Sequence, residues 1–231
     1  MLDVQRRELK YIVNVVEMTK LKFSLGQIMI RDPHNGLKGY RVRSLYFDTL
    51  YDSDFQEKID GYDVRRKIRL RIYDEDSEIV KLEVKTKKGD SQRKYSLLLS
   101  RIESERMIAG DYTFLLERPE KIAQAIYTKM VTCCYRPKCI VEYDREAYIR
   151  DVNDIRITFD QNIRATESDF NLFNNKMILY PVAPSGEITM EVKYNRFLIS
   201  YIKENISTVD KQQIANSKYC RARMITKNRK S

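Results

Sequence analysis

Arg65-Arg66-Lys67-Ile68-Arg69-Leu70-Arg71-Ile72-Tyr73 alternates basic and apolar residues. In a β-strand successive side chains point to opposite faces. Lys67, Arg69 and Arg71 would then share one face, and Ile68, Leu70 and Ile72 the other. The pattern repeats at once in Ile79-Val80-Lys81-Leu82-Glu83-Val84-Lys85, where Lys81, Glu83 and Lys85 share a face. Two adjacent strands of this kind form either a wetted outer wall or the lining of a polyanion site. The rest of the chain decides between them.

The chain has 231 residues and a formal net charge of +10, from Lys+Arg 43 against Asp+Glu 33. That length suits one ordinary large domain, read here as residues 1–231. The charge favours an anionic partner: nucleic acid, phosphate or a membrane surface. The one histidine, His34, sits in the turn-like Asp32-Pro33-His34-Asn35-Gly36, which argues against histidine-based metal or triad chemistry. Cys133, Cys134, Cys139 and Cys220 contain no CxxC pair and read as free thiols of a reducing compartment. No apolar run reaches the length of a membrane span, and Met1 is followed by charged residues rather than a signal segment. A cytoplasmic protein is expected. Neither GxGxxG nor GxxxxGK[ST] occurs, so a dinucleotide or P-loop site is not indicated.

Strands are expected at 4–12, 40–47, 65–73, 79–85, 94–99, 138–143, 154–160 and 188–193. Helices are expected within 13–30, 50–59, 101–109, 120–133, 197–205 and 211–224. Ser100 with Glu103 three residues on is a capping box. The polar turn Lys87-Lys88-Gly89-Asp90 separates two strands. At 154–160, Arg156, Thr158 and Asp160 share a face; at 188–193, Thr189, Glu191 and Lys193 do.

Strand after strand thus carries apolar residues on one side and Arg, Lys or Glu on the other. Closing such a sheet into a barrel would put the charges inside and leave helices to cover the apolar outside. Two like charges about 4 Å apart repel by roughly 4 kcal/mol at an effective dielectric near 20, so a bound polyanion would relieve such a lining. Arginine's fork matches phosphate oxygens, and lysine adds a mobile charge. A glutamate among them makes sense if it holds Mg²⁺ or Mn²⁺, which bridge carboxylate and phosphate.

The ordered set of motifs resembles the VTC-type polyphosphate polymerase domain, a branch of the triphosphate tunnel metalloenzyme superfamily. The matching stretches are Arg7-Glu8-Leu9-Lys10-Tyr11, Val42-Arg43-Ser44-Leu45-Tyr46-Phe47-Asp48-Thr49, Arg65 to Tyr73 and Leu82-Glu83-Val84-Lys85. Glu142-Tyr143-Asp144-Arg145-Glu146-Ala147-Tyr148, Arg156-Ile157-Thr158-Phe159-Asp160, Met190-Glu191-Val192-Lys193-Tyr194 and Asn216-Ser217-Lys218-Tyr219 continue it. The resemblance implies an α+β fold: an antiparallel β-barrel tunnel with a polar charged interior and helices packed outside. It implies metal-dependent phosphoryl transfer by a phosphotransferase, with ATP-dependent polyphosphate synthesis the leading expectation. Mn²⁺ or Mg²⁺ is the implied cofactor; polyphosphate and ATP or another triphosphate are the implied partners.

Carried over by motif, Lys10, Arg69, Arg71, Lys85, Arg145, Lys193 and Lys218 would contact phosphate. Arg43 and Arg156 would assist in binding, with Asp160 beside them. Glu191 is the leading metal ligand, with Glu8 and Glu83 as further candidates or as ion-pair partners. Arg6 stands two residues before Glu8, where hydrolase branches of the superfamily carry a further acid; this leans toward the polymerase-like branch. Two rivals remain open: a tripolyphosphate or nucleoside triphosphate hydrolase, and a non-catalytic polyphosphate-binding or sensor module. Nucleic acid is disfavoured, because Tyr and Phe mostly flank the strands rather than interleave with the basic residues.

Overall fold

The structure is a computed structural model and describes residues 6–89, 91–215 and 217–230, with 226–230 as backbone. Val4 and Gln5 of the expected first strand, Asp90 of the expected turn and Asn216 of the last motif lie outside the described residues. In chain order the elements are β1 (Arg6–Val13), α1 (Val15–Ile28), β2 (Ile30–Arg31), β3 (Tyr40–Asp48), α2 (Ser53–Ile59), β4 (Val64–Ile72), β5 (Ile79–Lys88) and β6 (Ser91–Ser100). There follow α3 (Arg101–Ala109), α4 (Lys121–Thr132), β7 (Arg136–Arg150), β8 (Ile155–Thr166), β9 (Tyr180–Pro181), β10 (Ile188–Asn195), α5 (Ser200–Ser207), β11 (Gln212–Gln213) and α6 (Lys218–Lys230).

Local chemistry sets several boundaries. Asn14 caps α1 by accepting the Glu17 backbone N–H at 2.9 Å. Ser100 and Glu103 form the reciprocal capping box at the start of α3, and Gly110 ends that helix in the left-handed region at φ 93°. The stretches 138–143 and 148–150 belong to one continuous strand, β7.

The chain divides into two compact units. Unit one comprises Met1–Arg41, Tyr143–Ile163 and Ala183–Ser217; unit two comprises Val42–Glu142, Arg164–Val182 and Lys218–Ser231. In unit one, β1 pairs antiparallel with β10 and β11, and β10 pairs with β8. Val13, Ile157, Phe159, Met190 and Val192 pack with Met18, Leu21 and Leu25 of α1 and Ile202 and Ile206 of α5. In unit two, β3, β4, β5 and β6 form consecutive antiparallel pairs. Leu45, Phe47, Ile68, Leu70, Leu82, Val84 and Leu97 pack with Met107 of α3, Phe114, Leu115, and Ile126 and Met130 of α4. Each fully buried aliphatic side chain contributes about 1.5–3 kcal/mol. In both units these apolar side chains face helices, and at 67–72, 79–85, 155–160 and 188–194 the charged residues take the opposite parity.

The strand order is β11-β1-β10-β8-β7-β3-β4-β5-β6, with β2 on β7 and β9 on β8. It ends on β11 and β6, and no pairing among the described residues joins them: the sheet is not closed. The expected barrel tunnel is therefore corrected to an α+β fold with an open antiparallel sheet and helices on apolar faces. The physical reason is that period-two alternation reports only which residues share a face. An open sheet with one wet face and a barrel with a charged interior share that alternation. Closure needs two hydrogen-bonding edges, and β11 is a strand of 2 residues. On β6, Arg93 and Lys94 are exposed, a usual guard against edge pairing.

Candidate functional site

Unit two carries a strongly basic face. Register places Arg69 opposite Glu83, Arg71 opposite Lys81, Lys67 opposite Lys85 and Arg65 opposite Lys87. On the next strand Glu83 faces Ser96 and Lys85 faces Lys94. Among these same-face positions of β4, β5 and β6, Glu83 is the one carboxylate. It is buried, and cations converge on it. Arg69 donates from Nε to its Oε2 at 2.8 Å, and Nη2 lies at the same distance. Arg71 Nη1 stands 3.7 Å from that oxygen, and the Lys94 ammonium contacts Oε1. Burial pushes the Glu83 carboxyl up, but Arg69, Arg71 and Lys94 outweigh it and hold it well below the usual carboxylate range. Tyr46 and Ser44 accept from Arg69 and Arg71 at 3.0 and 3.1 Å, which steadies both guanidinium groups.

Unit one carries a balanced cluster. Lys10 is opposite Glu191 in register, and Glu8 is opposite Lys193. The Lys10 ammonium lies 3.0 Å from Glu8 Oε1 and 3.3 Å from Glu191 Oε1. Lys193 donates to Glu191 Oε2 at 2.7 Å. Burial works against the Lys10 charge, yet Glu191 and then Glu8 outweigh it and raise its pKa well above the usual lysine value. Arg145 stands 3.9 Å from Glu191 Oε2 but is held by Asp160 through two short hydrogen bonds, 2.6 and 2.7 Å. Thr158, opposite Glu191, is fully buried, and its hydroxyl has no hydrogen-bond partner among the described residues.

Arg156 and Arg43 turn to partners outside these clusters. Arg156 is opposite Lys193, yet its guanidinium reaches Asp32 at 2.6 Å and Tyr40 at 3.0 Å. Arg43 shares the parity of Leu45 and Phe47, not that of Ser44 and Tyr46. It is buried, and its donors go to Glu142, Glu75 and the carbonyls of Leu172 and Asn174. Lys218 opens α6 and is half-buried. The next residue, Tyr219, donates to Asp48 at 2.7 Å.

Glu8 and Glu191 offer the hard oxygens that magnesium and manganese take, and the orphaned Thr158 hydroxyl adds a neutral one. Among the described residues no group of three or more His, Cys, Asp or Glu stands ready to enclose an ion.

Sequence reasoning missed Lys94, Tyr46, Asp32, Asp48, Thr158 and Tyr219. Parity gives Thr158 its face, but the other five acquire their roles only through register and tertiary contact.

The sequence pattern of the VTC domain matches residues 5–227, and the chain belongs to that family. No curated protein sequence matches it. Among solved structures, the chain is similar to a Bacillus halodurans protein named as a candidate adenylate cyclase. That match has 13% identity and a TM-score of 0.50, covering 92% of this chain and 95% of that one. A Pyrococcus horikoshii OT3 protein is similar at 12% identity and TM-score 0.47, covering 96% and 99%. At such identities the first likeness shows the fold alone. No helix among the described residues is long and apolar enough to cross a membrane.

Proposed function

We propose that this chain catalyses metal-dependent phosphoryl transfer on a linear phosphate chain, with ATP-dependent polyphosphate synthesis as the reaction. The acting domain is taken as the whole of 1–231, which a single family pattern spans almost entirely. The observation that carries the reading is the basic face of β4, β5 and β6, where Glu83 is the one carboxylate. Arg69, Arg71 and Lys85 would grip phosphate oxygens there, with Lys94 and Lys218 as further cations of the same unit. In unit one, Lys10, Lys193 and Arg145 would do the same around Glu191.

In the proposed reaction a terminal phosphate oxygen of the growing chain attacks the γ-phosphorus of ATP. The bond from that phosphorus to the β-bridging oxygen breaks, and ADP leaves. No protein nucleophile is required, so the side chains act by positioning and by offsetting charge. A divalent ion on Glu191, with Glu8 or Thr158 in support, would supply charge neutralisation at the bridging and terminal oxygens.

The test is an assay of the purified chain with ATP and Mn²⁺ or Mg²⁺ for polyphosphate and ADP. Arg69→Ala and Glu191→Ala should each abolish product; polymer formed equally well by both variants would overturn the assignment. Orthophosphate without polymer would replace it with hydrolysis, and tight binding without turnover with a sensor. A cyclic nucleotide would point to the activity in the Bacillus halodurans neighbour's name.

A further inference from the structure

Glu83 and Tyr46 both hold Arg69, and these holds differ in kind. Glu83 competes with any phosphate for the guanidinium. Tyr46 does not: its hydroxyl accepts from Arg69 Nη1 at 3.0 Å, and the guanidinium lies 5.8 Å from the ring centroid. Tyr46 can therefore keep Arg69 aimed while a ligand displaces Glu83. What keeps Tyr46 itself in place is Tyr219. The two rings stack with centroids 5.1 Å apart and planes inclined by 24°, and Phe55 meets the Tyr219 ring edge-on at 6.4 Å. The far end of Tyr219 is tied down as well. Its hydroxyl donates to Asp48 Oδ2 at 2.7 Å, an oxygen that also accepts the Phe55 backbone N–H at 2.9 Å. Asp48, Tyr46 and Tyr219 are all buried, so this assembly has little freedom to drift.

We propose that Tyr219, clamped by Asp48, is a positioning residue for Arg69 acting through Tyr46. The last helix of the chain thereby sets the aim of a guanidinium on the fourth strand. This rests on the reading of Arg69 as a phosphate-binding residue. A ring at position 219 would serve packing alone if nothing depended on its neighbour's hydroxyl; the dependence of Arg69 on that hydroxyl gives the stack a second task.

The test is calorimetric titration of the full chain with tripolyphosphate, with thermal melts in parallel. The proteins are wild type, Arg69→Ala, Tyr219→Leu and the double variant. Arg69→Ala should weaken binding about tenfold or more, the scale of a lost hydrogen bond to a charged group. Tyr219→Leu should weaken it about tenfold in the wild-type background and less than about twofold in Arg69→Ala, because acting through one guanidinium makes the two effects non-additive. An equal factor in both backgrounds, or none in the wild type, would overturn the positioning role. Full binding by Arg69→Ala would instead overturn the phosphate-binding reading on which it rests. Should Tyr219→Leu fail to fold, Tyr46→Phe takes its place with the same expectations, since it deletes only the hydroxyl that Arg69 meets.

Discussion

Arg145 and Asp160 form a buried two-point ion pair, Nε to Oδ1 at 2.6 Å and Nη2 to Oδ2 at 2.7 Å. Burial opposes the arginine charge, and Asp160 more than restores it. Removing one partner of a buried pair leaves the other charge uncompensated, at a cost of about 3–5 kcal/mol. Asp160→Ala should therefore lower the urea midpoint steeply. Arg145→Ala should lose stability together with activity, whereas Arg69→Ala should lose phosphate affinity with a smaller change in midpoint. Similar midpoints for Asp160→Ala and wild type would show that the pair is solvated in solution.

Glu83 sits among Arg69, Arg71 and Lys94, the cations proposed above to bind phosphate. Replacing it by a neutral isostere removes the negative charge that faces those cations. Glu83→Gln should destabilise the free chain by about 1–3 kcal/mol and bind tripolyphosphate more tightly than wild type. The gain should shrink at high salt, because the interaction is between charges. Weaker binding that excess Mn²⁺ restores would assign Glu83 to the metal instead.

Asp54 lies at the start of α2, buried beside Asp48, with Tyr135 donating to both of its oxygens at 3.0 and 2.9 Å. Burial first and the Asp48 charge second push its carboxyl from 3.8 to about 7; Tyr135 and Arg66 pull down, and Glu57 adds to the rise. The folded chain thus binds this proton more tightly than the unfolded chain does. The resulting stability is fully present below the ordinary carboxylate pKa and is lost as pH rises through 7. Between pH 5 and pH 8 the loss should be on the order of 2–3 kcal/mol. Asp54→Asn should flatten that part of the profile in thermal melts; an unchanged slope would refute it.

Gly39 and Gly110 make a matched pair. Both lie at positive φ, 86° and 93°, where a side chain is strained. A Cβ on Gly110 meets nothing within 4 Å, but one on Gly39 would stand 2.3 Å from the Arg145 carbonyl oxygen. Gly110→Ala should cost about 1–2 kcal/mol. Gly39→Ala should cost more, because the backbone carrying Arg145 must shift as well. Equal melting temperatures for the two variants would contradict this.

Much of this architecture is legible from alternation alone. The faces of 65–73, 79–85 and 188–193 follow from parity, and Ser100 with Glu103 marks a helix start that the structure contains. What parity cannot carry is the partner across the strand. Lys94 meets Glu83 only because β6 pairs with β5 in one register, and a slip of one residue would turn it to the other face. Arg43 looks like its basic neighbours in sequence, yet odd parity takes it among Glu142, Glu75 and two carbonyls. Closure of the sheet was equally invisible, being a property of edges rather than faces. The division into two units leaves no compositional mark, and three of its boundaries fall inside β3, β7 and β8.

The pairing of Lys10 with Glu191 has a consequence for how the chain is made. β1 precedes β10 in the chain and cannot meet this neighbour until β10 has been translated. At about 5–20 residues per second, that delay is roughly 10–40 s. Throughout it, a strand carrying Leu9, Tyr11 and Val13 must wait with its β10 edge open. Nascent chains of this protein should therefore depend on chaperones that shield β1 until β10 has been made.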